Sequence, residues 1–514
     1  MMKMKKYIMG LLAAGVLLAG CGESLEDTYS DMAGDGAIRY LNNCTDIQVI
    51  PGWERLRLEW NNSQDVLVDS IKVTWAVADM KYDTLLDAAA SAVDLLHLKD
   101  GSYAIEVCTI GKDKSQSLVE TVYGRPYTEA HEVVRTFTNV VTKFYKVKAK
   151  NALLFFMDNW NDDILDVRMH YTNTRGEAVS YTLTKAEFER KHITLEDVDC
   201  HLPITISRVG RIEGCPDVIH FAPIELGDQR NFATDFKTAL ERRYGVSDQT
   251  EAEKAAFEHF IDTVRTLEFD YDMNTLEDVL LCPSLEKIVL GKNRFLNTAY
   301  PSDYDASVLE DVDRSVLVLN EANRLTGLKV ERYNNHYFTD AGLLNPGVLV
   351  EMGETEMPAL NPAGLEVESV KCSIEESADW DSNLNGLVDD DPTTEWMPIE
   401  GSVATTGIRN YEITITYKEA KRVSGFKVVQ ARKTETNQYM LPELIKIQVS
   451  EDGIVWKNAL YLNEWVLGKG VGETTLIPMA EPREIRYVKV IVNDQVRASN
   501  GYSSIAIADV IPYN

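Results

Sequence analysis

GLVDDDPTTEW, residues 386–396, sets three aspartates side by side ahead of a proline, two threonines, a glutamate and a tryptophan. Adjacent carboxylates repel one another, so the stretch implies something that draws them together. Its surroundings are strands. VESVKCSIEES precedes it, and YEITITYKEAKRVSGFKVVQ, LPELIKIQVSEDGIVWKN, REIRYVKVIVND and SSIAIADVIPY follow, each alternating apolar and polar residues as a half-buried strand does. Residues 365–514 therefore read as one all-β domain, with Trp396 and Trp456 at alternating positions that belong to its core.

Taken in order, the Asp-x-Asp-Pro-x-Thr-x-Trp loop, the SEDGIVW turn, the RYVKV strand and an acidic residue at the last strand form one pattern. It resembles the discoidin domain, also called coagulation factor 5/8 type C, which overlaps the carbohydrate-binding modules of the galactose-binding-like jelly-roll class. The resemblance implies that the acidic loop wraps a structural Ca²⁺, a hard cation that takes about six to eight oxygen ligands. Carried over by position, Asp389, Asp391 and Thr394 supply loop oxygens and Asp509 closes the site from the last strand. Two departures stand out. Asp390 occupies a position that is commonly glycine, which aspartate can fill because it tolerates left-handed backbone. Asp509 replaces the usual glutamate and is one methylene shorter. The resemblance also implies a sugar site on the loops at one end of the jelly roll, where an exposed ring and polar forks suit a ligand with apolar C–H faces and directional hydroxyls. Residues of that kind are Trp380 and Asp381, then Arg432, Asn437 and Tyr439 in QARKTETNQYM, and Arg497, Asn500 and Tyr502 in VRASNGYSS.

Working outward, GETEMPALNPAG (353–364) carries two prolines and little periodicity, as a linker does. Upstream of it, over 226–352, the period changes. FATDFKTALERRYG and EAEKAAFEHFIDTVRT read as helices, and Leu285, Ile288, Leu290 and Asn293 fit the LxxLxLxxN frame of a leucine-rich repeat. Leu267, Glu268 and Phe269 echo that segment, and GLKVERYN follows the helix VLEDVDRSVLVLNEANRL. Two or three strand–helix units of this kind predict a small α/β layer of parallel strands joined by crossovers. ERYNNHYF brings Tyr333, Asn334, His336 and Tyr337 together at a strand end, where packing is the simpler reading and a second contact surface the alternative. Residues 128–225 hold further strands, among them NALLFFMDN and the hairpin YTNTRGEAVSYTL. MDNWNDD places Trp160 in a solvated turn. Residues 38–127 alternate in RLRLEW, DSIKVTWAV and GSYAIEVCTIG, with Trp60 in an early strand and Tyr103 in the last of these. This order resembles fibronectin type III modules, in which such a tyrosine makes a corner hydrogen bond. The expected fold is thus multi-domain and mainly β: two fibronectin-III-like sandwiches, an α/β leucine-rich-like domain and a terminal jelly roll.

The 514 residues carry 52 Lys and Arg against 81 Asp and Glu, a formal charge of −29, which excludes nucleic acid and anionic lipid headgroups as natural partners. The start, MMKMKKYIMGLLAAGVLLAGCGESLED, reads as a lipoprotein signal peptide over 1–20, with lipidation expected at Cys21 and a tether to residue 37. The acidic residues after Cys21 resemble those of surface-exposed lipoproteins in Bacteroides-like bacteria. None of the remaining six cysteines lies in a CxxC pair, so zinc is disfavoured; Cys200 and Cys215 could bridge, and buried free thiols are the simpler expectation. No HExxH, GxSxG, Walker loop or dinucleotide turn is present, and no region offers the large catalytic domain that holds two carboxylates across a glycosidase cleft. The whole order resembles the surface glycan-binding lipoproteins of polysaccharide-utilisation systems. That resemblance implies a non-catalytic protein, lipid-anchored in the outer membrane, that captures oligo- or polysaccharide beside a SusC/SusD-type importer. The alternatives are a glycosidase with an accessory discoidin-like domain and a protein-binding adhesin.

Overall fold

A computed structural model describes residues 41–514 except 64, 138, 298, 300–304, 339, 375–381, 392, 399–402, 405–407, 433–439 and 497–501. Cys21 and the leader lie outside the described residues. No helix among the described residues is long and apolar enough to cross a membrane.

The first domain contains β1 (Thr45–Gly52), β2 (Arg55–Asn61), β3 (Val68–Val77), β4 (Met80–Asp87), β5 (Ala92–Leu95), β6 (Tyr103–Gly111) and β7 (Glu120–Gly124). They form two antiparallel sheets, β1-β2-β5 and β4-β3-β6-β7. Period-2 alternation puts Leu56, Leu58 and Trp60 of β2 into the core against Ile71, Val73, Ile105 and Val107. The Tyr103 hydroxyl accepts from the Lys99 amide (3.1 Å) and donates to the Lys99 carbonyl (3.2 Å), which is the expected corner.

The second domain repeats this plan strand for strand. Its strands are β8 (Val141–Val147), β9 (Ala152–Met157), β10 (Ile164–Thr172), β11 (Ala178–Thr182), β12 (His192–Glu196), β13 (Thr205–Gly210) and β14 (Ile219–Glu225), in sheets β12-β9-β8 and β11-β10-β13-β14. Every residue of β9 is buried. An unbroken apolar run signals a strand covered on both faces. Leu153, Phe155 and Met157 fill the sandwich, while Leu154 and Phe156 on the opposite face enter the core of the third domain.

That third domain begins with helices α1 (Thr234–Tyr244) and α2 (Glu251–Thr263), the second opened by a Thr250–Glu253 capping box. Four strands follow, β15 (Thr266–Phe269), β16 (Lys287–Leu290), β17 (Lys329–Tyr333) and β18 (Leu349–Gly353), all parallel and adjacent in chain order. Helix α3 (Val312–Thr326) and short helical turns make the crossovers. The leucine-rich frame holds: Leu285, Ile288 and Leu290 are buried and the Asn293 side chain caps Asp270 (2.9 Å). The echo aligns Leu267 with Ile288 rather than with Leu285. One more strand is present than the pattern predicts. β18 has only a half-buried side chain at Leu349 and otherwise exposed ones, so it lacks an apolar signature and is recruited by the parallel ladder. Glu351 lies on β18 and pairs with the buried Arg332. ERYNNHYF is a packed knot: His336 and Tyr337 are buried, and His336 accepts from the Ser307 amide (2.8 Å). Burial pushes its imidazole down to about 3, so it acts as a neutral acceptor. Gly291 at φ +72° meets this ring; a Cβ there would lie 2.1 Å from His336.

The fourth domain holds β19 (Val367–Cys372), β20 (Val403–Ala404), β21 (Asn410–Gln430), β22 (Leu444–Ser450), β23 (Lys457–Asn458), β24 (Trp465–Val466), β25 (Thr474–Asn493), β26 (Gln495–Val496), β27 (Tyr502–Ser504) and β28 (Ile507–Tyr513). The main sheet runs β19-β21-β25-β22-β23, with β28 on β21 and β24 on β22, and a small sheet runs β20-β27-β26. β21 and β25 pair along most of their length, with register shifts where each bends between layers of the jelly roll. Residues 354–361 form no strand, as a linker would, although Pro362 bridges Tyr513. The six described cysteines are free thiols.

Ion pairs join each domain to the next. Arg55 grips Asp217 through Nε (3.1 Å) and Nη2 (2.9 Å) between the two sandwiches. Lys143 meets Glu277 (2.7 Å) and the buried Asp278 (2.8 Å) between the second sandwich and the α/β domain. Arg294 and Glu473, 2% and 0% exposed, join the α/β domain to the jelly roll. The guanidinium donates twice to Glu473, and to Ser307 Oγ (2.5 Å), the Asp305 carbonyl (2.8 Å) and the Asp270 carbonyl (3.4 Å), so all its N–H groups are used. A backbone bridge, Thr474 N–H to Phe295 O (3.0 Å), lies beside it.

Arg294→Ala leaves a buried carboxylate unpaired and is expected to cost about 3–5 kcal/mol, whereas Arg294→Met with Glu473→Leu recovers most of it; denaturant unfolding of the three chains measures both. Tyr103→Phe is expected to cost about 1 kcal/mol, confined to the first unfolding transition in calorimetry.

Candidate functional site

The acidic loop is framed on both sides. A short helical turn, Leu384–Val388, leads into it with Gly386 and Leu387 buried, and a Cβ on Gly386 would press on Asn383 (2.6 Å) and Thr394 (3.3 Å). At its far end Trp396 donates to the Ile507 carbonyl (2.8 Å) and accepts from the Ile507 amide (3.1 Å), which fastens the loop to β28. The Trp396 ring is fully buried, edge-on to Tyr411 at 5.3 Å, as its alternating position predicts. Trp456 is only half-buried, between Tyr487 and Lys489, because it sits in a turn.

Within this frame the three aspartates point three ways. Asp389 accepts from the Asp391 amide (3.0 Å) and from the Thr394 hydroxyl (2.9 Å). Asp390 adopts φ +55°, the left-handed backbone that aspartate tolerates, and its carboxylate pairs with Lys427 of β21. Asp391 turns back on its own loop, accepting from the Thr393 amide (2.9 Å) and hydroxyl (2.7 Å), which hold it below the usual carboxylate range. Lys427, inside the apolar run GFKVV, is the one partner that the sequence reading missed; a lysine interrupting a buried strand was its only signal.

Asp509 is the exception among these groups. It is 0% exposed, and neither carboxylate oxygen has a side-chain hydrogen-bond partner among the described residues; only the Asp390 amide faces it. Burial, followed by Lys427 opposing and the charges of Asp390 and Asp389 reinforcing, pushes it up to about 6. A buried carboxylate short of donors is costly, and a hard cation is one group that satisfies two lone-pair-bearing oxygens at once. Asp389, Asp509 and Thr394, with loop carbonyls, fit such a cation. Asp390 is committed to Lys427, Asp391 bonds its own loop through Oδ1, and among the described residues no three carboxylate, imidazole or thiol side chains converge in ligand geometry. Further oxygens would come from Asp391 Oδ2, the backbone or water.

The sugar-facing candidates lie in three loops. Trp380, Asp381, Asn437, Tyr439, Arg497 and Asn500 fall outside the described residues. Tyr502 opens β27 opposite Ala404. Arg432 is half-buried next to the acidic loop, where its charge helps to lower Asp391, and its Nε has no partner. The roots of the three loops nevertheless meet. Ala431 and Met440, which flank 433–439, pack with Ala506, just after 497–501, and with Met397, whose amide bonds the Ser382 carbonyl (3.2 Å) just after 375–381. Ala506 also donates to the Met440 carbonyl (3.0 Å). One small apolar knot thus gathers the roots of all three loops beside the acidic loop. The other two aromatic clusters are structural: the strand-end knot is buried, and Trp160 packs edge-on to Phe188 at 5.1 Å with its N–H on Asp162 (3.1 Å).

A family model of the F5/8 type C domain matches residues 369–508. A second, described only as a domain of unknown function (DUF4998), matches residues 21–202. No curated protein matches the chain. Among solved structures, a two-domain fibronectin type III segment from chicken tenascin is 14% identical, with 36% of this chain and 97% of that one covered and a TM-score of 0.18. A pectin-binding carbohydrate-binding module is 13% identical, with 29% and 91% covered and a TM-score of 0.20. The GH31 CBM32-2 module bound to GalNAc is 14% identical, with 29% and 99% covered and a TM-score of 0.22. The terminal domain is thus F5/8 type C-like over residues 369–508.

In chelator, Asp509→Asn is expected to stabilise the chain by about 1–2 kcal/mol, because an amide replaces a buried charge that faces two other acids. Added Ca²⁺ is expected to raise the melting temperature of the native chain and leave that of the variant unchanged, as followed by thermal denaturation.

Proposed function

We propose that this chain is a non-catalytic surface glycan-binding protein, lipid-anchored to the outer membrane through Cys21, that captures oligo- or polysaccharide for a SusC/SusD-type uptake system. The observation that supports this most is the convergence of three loop roots on one apolar knot next to the acidic loop. Ca²⁺, when bound, compensates the charge of Asp389 and Asp509 and stiffens the rim. The loops then present Trp380, Tyr439 and Tyr502 to sugar C–H faces, and Asp381, Arg432, Asn437, Arg497 and Asn500 to hydroxyls. Arg432 suits this work because its Nε has no partner among the described residues. Every hydroxyl must give up water, so each hydrogen bond contributes only about 0.5–1.5 kcal/mol net. Single sites are weak, and many anchored copies on one surface offset this by avidity. The charge of −29 keeps nucleic acid away and leaves neutral polymers unaffected.

A glycan array probed with the full chain, with and without chelator, tests the reading. Intact glycan retained in Ca²⁺ and weakened about tenfold by Arg432→Ala, or about 1.4 kcal/mol, is the expected result. Released reducing ends would show a glycosidase, and silence on all sugars with capture of protein would show an adhesin.

A further inference from the structure

A cleft of about 420 Å³ lies between the α/β domain and the jelly roll. Small-ligand sites occupy about 300–1,000 Å³ and favour domain boundaries. Helix α1 forms one wall, since Asp235, Thr238, Ala239 and Arg242 recur on one helical face. Tyr271, Trp465 and Leu476 form the other.

Two charged groups here keep an atom without a partner among the described residues. Asp235 spends one oxygen on the Asn274 amide (2.8 Å), and its other oxygen is buried and unbonded. Arg242 has its guanidinium 5.3 Å from the Tyr271 ring centre, and its Nε is buried without an acceptor. The Trp465 indole N–H faces the Tyr271 hydroxyl and is not a free donor. Other charges around the cleft are matched: Arg243 with Glu268, Lys469 with Asp272 (3.0 Å), and Asp270 with the Asn293 side chain (2.9 Å). What remains is one acceptor and one cationic donor. A free anion would confront Asp235, and a free cation would confront Arg242. Hydroxyls both donate and accept, so they satisfy both groups. Asp235 and Arg242 are two helical turns apart, about 10 Å, so one small polyol does not reach both. Leu476 and Ala239, both half-buried, offer apolar contact to C–H faces.

We propose that this cleft is a second saccharide site, which takes a neutral oligosaccharide of two or more rings bridging Asp235 and Arg242 alongside Trp465. Its walls are held by the domain lock itself: the Arg294 guanidinium lies 5.8 Å from the Tyr271 ring centre, and Tyr337 Oη donates to the Tyr271 carbonyl (2.7 Å).

Calorimetric titration of the full chain with maltotriose, cellotriose, xylotriose and trigalacturonate, in chelator, tests this. Binding of a neutral trisaccharide, weakened tenfold or more by Arg242→Gln and by Asp235→Asn with melting temperature unchanged, is the expected result. Both variants lie on a half-exposed helix face, and asparagine keeps an acceptor for the Asn274 amide. Absence of binding by every neutral trisaccharide, indifference to both substitutions, or preference for trigalacturonate would overturn it. Binding that needs Ca²⁺ and falls only with Arg432→Ala belongs to the loop face, and would overturn this second site while leaving the loop reading intact.

Discussion

The arrangement of the two C-terminal domains depends on the Arg294–Glu473 pair. Neither group reaches water, and each finds its opposite charge only across the domain boundary: the guanidinium pairs with Glu473, and the carboxylate with Arg294, aided by the Gly470 amide of its own domain (2.9 Å). Such a pair adds little net stability over an apolar pair of the same shape, yet separating it exposes each partner to an uncompensated burial. The two domains therefore dock in one register. Around the lock, Lys469 pairs with Asp272, and Gly472 admits Asn297 at a distance where a Cβ would clash (2.5 Å).

The same principle recurs along the chain. Arg55–Asp217 and Lys143–Asp278 each place a salt bridge where one domain meets the next, and β9 extends the contact by supplying apolar side chains to two cores at once. A chain of four domains joined in this way is a stiff support for its terminal loops rather than a row of beads on flexible spacers. Strain at the functional end takes a different form. Asp509 is a buried acid without a side-chain donor among the described residues, placed beside acids that bond to Lys427, Thr393 and Thr394. Its cost is borne by the same jelly-roll core that fastens Trp396 to Ile507.

Much of the fold was legible because it obeys short periods. Leu56, Leu58 and Trp60 alternate and point inward; Tyr103 makes its corner bond four residues back; Leu285, Ile288 and Leu290 occupy the inward positions of a repeat. The acidic loop was legible too, down to the left-handed backbone of Asp390. β18 was not, because its exposed side chains carry no period and only the neighbouring parallel strand selects it. The identity of the second domain's plan with the first was hidden by β9, whose continuous apolar run serves two cores and so erases the alternation that marks a sandwich strand.

Local spacing alone determined which segments become strands and helices, where the chain turns, and which acids share one loop, since these follow from backbone geometry and the burial of alternate side chains. Tertiary structure decided which of those acids is left without a side-chain partner among the described residues. Asp389, Asp390, Asp391 and Asp509 are the same residue type, and only the strands, lysine and hydroxyls brought from elsewhere in the chain distinguish them. It also decided that Arg294 and Glu473, separated by most of two domains, would meet out of water, because long-range pairing depends on how folded surfaces dock and leaves no mark in the nearby sequence.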